Sequence, residues 1–386
     1  MIYFNKRNLV FIVGIIEVMR RYKKPKALAA EPNGKRSINH WPSLSNEIAL
    51  LILRLLPQKD RVTVSLVNRK FRDLSKDPSL WTQLTLDFEN IKQNVESCRK
   101  LVDRCKKLAS IKITNNSRNS CKLNIMTVVT RAKESLNSLE VDHSLEDWTP
   151  AAMKKLGSLK NLTRLSLSFN SDPKSVNSYI GANMLEELAN LDQLEVLKLE
   201  LTHNGSGHIA ALKNVFQQLK KLKKVYIYPT QFDESLVVAL AENNPDLKVI
   251  RRMIYSSLSD RTVDILFNSC PGLEDFIISS SHSENEINKL SSLWPNLKCL
   301  EVRGSSALWD DMDADLISKY VEKFRSLERL VLRGNYIHIT NSRIERLVGS
   351  AENLKHLSLC APQVTKVFVK RLRIEYPDLD LRINDY

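Results

Sequence analysis

One pattern recurs through most of this chain. Leu-x-x-Leu-x-Leu, with Ile, Val or Phe substituting, opens at Leu108, Leu136, Leu162, Leu194, Leu222, Leu273, Leu297, Leu327 and Leu354, with less regular copies at Leu247 and Leu379. Successive copies start 24 to 32 residues apart. That interval holds one short strand and one helix, and neither can bury its apolar side except against the next copy. Helical stretches fill the intervals from Met184, His208, Glu234, Arg261 and Leu316. Eleven phased copies leave the chain one economical solution, a stacked array.

Pattern and period are those of leucine-rich repeats. They predict an α/β solenoid over residues 91–386, a horseshoe with parallel strands on its concave face and helices on its convex face. Three residues past the pattern, eight copies carry a short polar side chain: Asn116, Asn170 and Asn335, with Ser144, Thr202, Thr230, Ser281 and Ser305 elsewhere. Each can hydrogen-bond the backbone leaving its strand. Pro245, Pro271, Pro295 and Pro377 sit just ahead of the pattern, where an extended backbone must follow the helix. The copy at Leu247 carries Arg251 and Arg252 after Ile250, which predicts an irregular strand or a register change there.

Residues 41–90 read differently, as a small all-α module. Ser45 can cap a helix whose Ile48, Leu51, Ile52, Leu55 and Leu56 share one face, and Pro57 ends it. From Asp60 a second stretch places Val67, Phe71 and Leu74 together. Asp77 followed by Pro78 predicts a capped last turn just before Trp81. About three helices in roughly forty residues bury too little for an independent core, so the module needs a partner surface or a neighbouring domain.

This segment resembles an F-box, through Leu44, Glu47, Ile48, Ile52, Leu56, Asp60, Val67, Phe71, Leu74 and the Ser79-Leu80-Trp81 ending. It departs from that pattern at Ser45, Arg61, Asn68 and Phe71, where proline, leucine, cysteine and tryptophan are usual. The Cys270-Pro271-Gly272-Leu273 run is similar to the cysteine-containing repeats that follow many F-boxes. The resemblance implies a Skp-family adaptor held by Leu44, Ile48, Ile52, Leu56, Val67 and Phe71, with cullin and RING subunits reached through it. It implies a substrate-recognition subunit of an SCF-type ubiquitin ligase, acting in cytoplasm or nucleus, with no chemistry of its own. Two other readings stand beside it: an adaptor-independent repeat scaffold or inhibitor whose helices cap the array, and a receptor for a small molecule in a polar pocket.

The net charge of +14 does not spread into a nucleic-acid groove. Residues 1–40 hold nine Lys or Arg against Glu17 and Glu31, hence +7; residues 41–90 contribute +1 and the array +6. No nucleic-acid partner is expected. The basic tail, read as disordered, has an apolar run from Leu9 to Ile16 that is shorter than the roughly 18 to 20 residues of a membrane span. Its Arg20-to-Lys26 run suits a nuclear-localisation patch, a solvated extension or a membrane-surface contact. Six cysteines without a C-x-x-C pair suggest reduced thiols and no zinc site. No H-E-x-x-H, G-x-S-x-G or complete phosphate loop occurs, and Asp310 to Asp315 lack the glycine and distal glutamate of a calcium loop. Neither a catalytic residue nor a cofactor is expected. On the strands, residues between the apolar positions point away from the core. Among these and their neighbours, Lys198, Tyr226, Tyr228, Arg303 and Arg333 are the candidate contacts for a protein client.

Overall fold

The structure, a computed structural model, describes residues 45–87, 95–114, 125–141, 148–169, 181–201, 206–228, 233–251, 258–279, 290–303, 322–335 and 339–383. The basic tail, Leu44, the Asp310 run and most of the short polar residues expected beyond the strands lie outside that set.

Among the described residues the repeats form one twelve-stranded sheet, all parallel, in strict chain order. Its strands are β1 (Gln83–Asp87), β2 (Ser110–Thr114), β3 (Ser138–Val141), β4 (Arg164–Phe169), β5 (Val196–Leu201), β6 (Lys224–Tyr228), β7 (Val249–Arg251), β8 (Asp275–Ser279), β9 (Cys299–Arg303), β10 (Arg329–Asn335), β11 (His356–Cys360) and β12 (Asp380–Ile383). Helices cover one face, including Ser206–Gln218, Glu234–Asn243 and Asp260–Ser269. The stretch at Met184 is split into a four-residue α-turn and a 3-10 turn, Glu186–Asn190. The nine leading leucines from Leu108 to Leu327 are at most 2% exposed. They form the floor on which strand and helix meet.

Register is held by the backbone just before each strand. The carbonyl of Thr82 accepts from the N–H groups of both Ala109 (2.8 Å) and Ser110 (3.0 Å), and the arrangement repeats from Ala109 to Glu328. Each carbonyl thereby takes two donors of the next repeat, and the stack carries one alignment through the whole sheet. β7 is the irregular strand expected from the Leu247 copy, only three residues long. It keeps its register with both neighbours, so no shift occurs there. The irregularity in pairing lies between β10 and β11, after Leu332.

The side chains of the same pre-strand residues form a second ladder. Lys223 pairs with Glu195 (2.9 Å), Lys355 with Glu328 (2.8 Å), and Glu274 sits between Lys248 (2.9 Å) and Lys298 (2.8 Å). Hydrogen bonds from Lys248 and Lys298 pull the Glu274 carboxyl from its usual 4.5 down to about 2.

Corners between helix and strand are tied by buried polar groups. Asn244, 1% exposed, accepts from the Leu222 N–H (2.8 Å) and donates to the Leu240 carbonyl (3.0 Å). The Cys270 thiol donates to the Asn244 carbonyl (3.4 Å), and the Trp294 indole N–H to the Cys270 carbonyl (3.2 Å). Burial pushes the Cys270 thiol up to about 12, so it stays protonated and acts as a packing group and donor. Asn244, Cys270 and Tyr376 each leave their helix with an open backbone (φ −136°, −130° and −123°) immediately before proline, as the proline positions require.

Two outcomes follow from these ladders. Asn244→Leu strands the buried Leu222 N–H and should cost about 1–3 kcal/mol in urea denaturation. Because Glu274 titrates lower in the folded chain than in the unfolded one, its stabilisation is fully present above the ordinary value and is lost as pH falls toward 2. The stability gap between wild type and Glu274→Gln should therefore shrink from about pH 6 to about pH 3; a constant gap refutes the double bridge.

Candidate docking face and open sheet face

The N-terminal module has three helices, α1 (Asn46–Leu55), α2 (Gln58–Val64) and α3 (Arg69–Leu74), and a 3-10 turn at Pro78–Leu80. Ser45 caps α1 by accepting from the Ile48 N–H (3.4 Å), and Asp77 caps the last turn through the Ser79 N–H (2.8 Å). The second helical stretch of the sequence is broken in two. Asn68 interrupts it and caps α3, accepting from the Phe71 N–H (2.9 Å).

α1 is apolar on two faces, where the sequence suggested one. Ala49, Leu53 and Leu56 turn inward and are buried with Val64, Phe71, Leu80 and Trp81. Ile48, Leu51 and Leu55 turn outward and are 49%, 42% and 55% exposed, with Ile52 partly buried. Val62, Leu66 and Val67 are also exposed, the last two by 73% and 61%. Of the candidate adaptor residues, Ile48, Ile52 and Val67 can therefore be touched from outside. Leu56 and Phe71 cannot: at 2% and 3% exposure they are core residues whose removal would undo the module. Leu51, Leu55 and Leu66 join the outward set. Leu51 and Leu55 were readable from helical spacing, but Leu66 sits in a turn and carries no periodic signal.

Arg61 explains one departure from the family pattern. Its guanidinium donates to the carbonyls of Leu56 (2.8 Å) and Arg54 (3.0 Å), both left open at the end of α1, and to that of Leu80. Arg54 donates to Ser79 Oγ (2.9 Å), and the Trp81 indole N–H to the Ser75 carbonyl (2.6 Å). The module is thus stapled by side chains reaching backbone.

It is also fused to the sheet. β1 begins two residues after Trp81, inside the span first read as purely helical, and the Gln58 amide lies along its outer edge. Gln58 donates to the Thr85 carbonyl (2.9 Å) and accepts from the Thr85 N–H (2.7 Å). One side chain thereby does for β1 what a preceding strand would do. The hydrophobic core runs without a break from Ala49 to Ile383.

Residues 41–87 match the family model F-box-like, and residues 187–377 match the model of the repeats of the FBD-associated F-box protein At5g56370. The chain is an F-box and leucine-rich-repeat protein. No curated protein matches it. Many solved structures are similar to it, among them a leucine-rich repeat-containing protein and two complexes. The leucine-rich repeat-containing protein LegL7 from Legionella pneumophila is 14% identical, over 75% of this chain and 96% of that one, at a TM-score of 0.43. The Rad7 and Elc1 complex in yeast is 14% identical, over 98% of each chain, at 0.46. The TLR13–ssRNA13 complex is 12% identical, over 69% and 41%, at 0.36.

On the open face of this F-box protein's sheet the strand register sets neighbours. Lys112 faces Glu140 in the next strand, 2.7 Å away, and Arg251 reaches Asp275 at 2.7 Å and Cys299 Sγ at 3.1 Å. The Cys299 thiol, desolvated and beside Asp275, is pushed up to about 12. Lys198 lies 3.1 Å from Glu200, which also accepts from Ser168 Oγ (2.9 Å), and faces the half-buried Tyr226 in β6. Of the candidate client residues, Lys198 and Tyr226 are thus brought side by side. Tyr228, Arg303 and Arg333 are placed by backbone in β6, β9 and β10, their side chains outside the described set. No group of metal-ligating side chains occurs among the described residues, and no described helix is long and apolar enough to cross a membrane.

Arg61→Leu, which restores the residue usual in the family, removes donors from three carbonyls. It should destabilise the module by about 1.5–3 kcal/mol, read as a lower midpoint in urea. An unchanged midpoint would show that the staple carries no stability.

Proposed function

We propose that the chain is the substrate-recognition subunit of an SCF-type ubiquitin ligase. The observation that supports this reading is the outward apolar face of Ile48, Leu51, Leu55, Leu66 and Val67 on the segment that matches the F-box-like model. Six of the eight exposed large apolar side chains among the described residues fall between positions 48 and 67. Such concentration marks a surface that a partner covers. The partner in this reading is a Skp-family adaptor, with cullin and RING subunits beyond it, in cytoplasm or nucleus. In this reading Lys198, Tyr226, Tyr228, Arg303 and Arg333 are the contacts for a protein client.

The receptor performs no bond chemistry in this mechanism. It raises the local concentration of client lysines around a charged enzyme, and the stapled, fused module fixes the client's position relative to the adaptor. Gln58 and Arg61 act here as positioning residues, because they hold the docking face rigid against the sheet.

Co-purification from cell extract tests the reading. Wild type should bring down Skp-family adaptor and cullin, and Ile48→Asp or Val67→Asp should reduce recovery at least about tenfold, equivalent to roughly 1.4 kcal/mol. Both substitutions are on exposed residues, so urea denaturation should show an unchanged fold. Recovery of neither subunit, or recovery unaffected by either substitution, leaves the scaffold or inhibitor reading in its place.

A further inference from the structure

We infer that the concave face over β4 to β6 binds an extended acidic segment of a protein client, with two carboxylates three residues apart. The inference rests on the receptor reading for its client, and on charge and spacing for the rest.

Arg164 opens β4 and Lys224 opens β6, in register across Val196. Both side chains are exposed, and no carboxylate among the described residues pairs with either. Three other cations on this face are met by acids: Lys112 by Glu140, Arg251 by Asp275, and Arg382 by Asp380 (3.0 Å). The carboxylates flanking the space between Arg164 and Lys224 are already engaged, Glu195 by Lys223 and Glu200 by Lys198. Two cations are therefore left facing solvent on a rigid sheet, with an aliphatic residue between them and Tyr226 beside them.

Strand spacing turns this into a ruler. Adjacent strands lie about 4.8 Å apart, so positions two strands apart are separated by about 10 Å. A client segment in the extended polyproline II conformation rises about 3.1 Å per residue with three residues per turn, so its residues i and i+3 share one face about 9 Å apart. A client segment crossing the strands thus places residue i on Arg164 and residue i+3 on Lys224.

The test uses the full chain and two fluorescein-labelled synthetic peptides of identical composition. One carries glutamates at i and i+3 around a leucine; the other carries them adjacent. The first should bind more tightly in fluorescence anisotropy. Arg164→Ala and Lys224→Ala should each weaken it roughly 3- to 10-fold, while Arg329→Ala, an exposed cation on β10, should not. Lys224→Glu should shift preference to a peptide with lysine at i+3, a gain that misfolding cannot produce. Equal affinity for both peptides, or an equal loss with Arg329→Ala, overturns the inference. Tighter binding of a single-stranded oligonucleotide through Arg164 and Lys224 overturns it in favour of a nucleic-acid ligand. Peptide binding is read without adaptor, so its failure and that of adaptor capture are separate results.

Discussion

Everything in this molecule hangs on the stacked carbonyls that open its strands. Each accepts two N–H groups from the following repeat, and that one geometric unit passes a single register from Thr82 to Glu328. The buried leucines already oppose a slip of one residue, which would turn every one of them outward, and the doubly accepting carbonyls fix the same alignment in the backbone. With the alignment fixed, side chains of successive repeats fall into columns. The salt-bridge ladder before the strands and the mixed columns on the open face are consequences of it.

A ladder needs an end, and Gln58 supplies one. An exposed parallel edge invites another chain to pair with it. Here the amide of a helical residue occupies the Thr85 donor and acceptor at once, and α2 becomes part of the sheet's boundary. A loose tether would let the helical module and the sheet wander relative to each other. Fusion through β1 and a common core makes the distance between them a property of the fold.

The solenoid was legible because its signal is redundant. Eleven copies of one apolar pattern outvote any local irregularity, and even the poor copy at Leu247 keeps its place in the sheet, with only its strand shortened. The module was less legible because α1 is apolar nearly all round. Periodicity places Leu56 beside Ile48 in sequence space, and only packing tells that one is buried and the other exposed. β1 went unread for a similar reason: Leu84 and Leu86 alternate correctly, but the leading leucine of the pattern is replaced by the end of the preceding module. On the open face, single tyrosines and lysines were visible from alternation. The pairing that neutralises Lys112 and Arg251 while leaving Arg164 and Lys224 exposed depends on neighbours some 24 to 32 residues away, and sequence spacing alone does not rank them.

The departures from the F-box pattern gain a different meaning once placed. Read as sequence, Ser45, Arg61 and Asn68 look like losses at a binding motif. In the fold none of them belongs to the outward apolar set: Ser45 caps α1, Asn68 caps α3, and Arg61 closes the carbonyls at the end of α1. A short module with little core of its own must satisfy its helix ends with side chains, because each orphaned backbone group it buries costs about as much as a hydrogen bond. Variation at those positions therefore reports how this module solves its own stability. Variation at Ile48, Leu51, Leu55, Leu66 and Val67 would report on its partner.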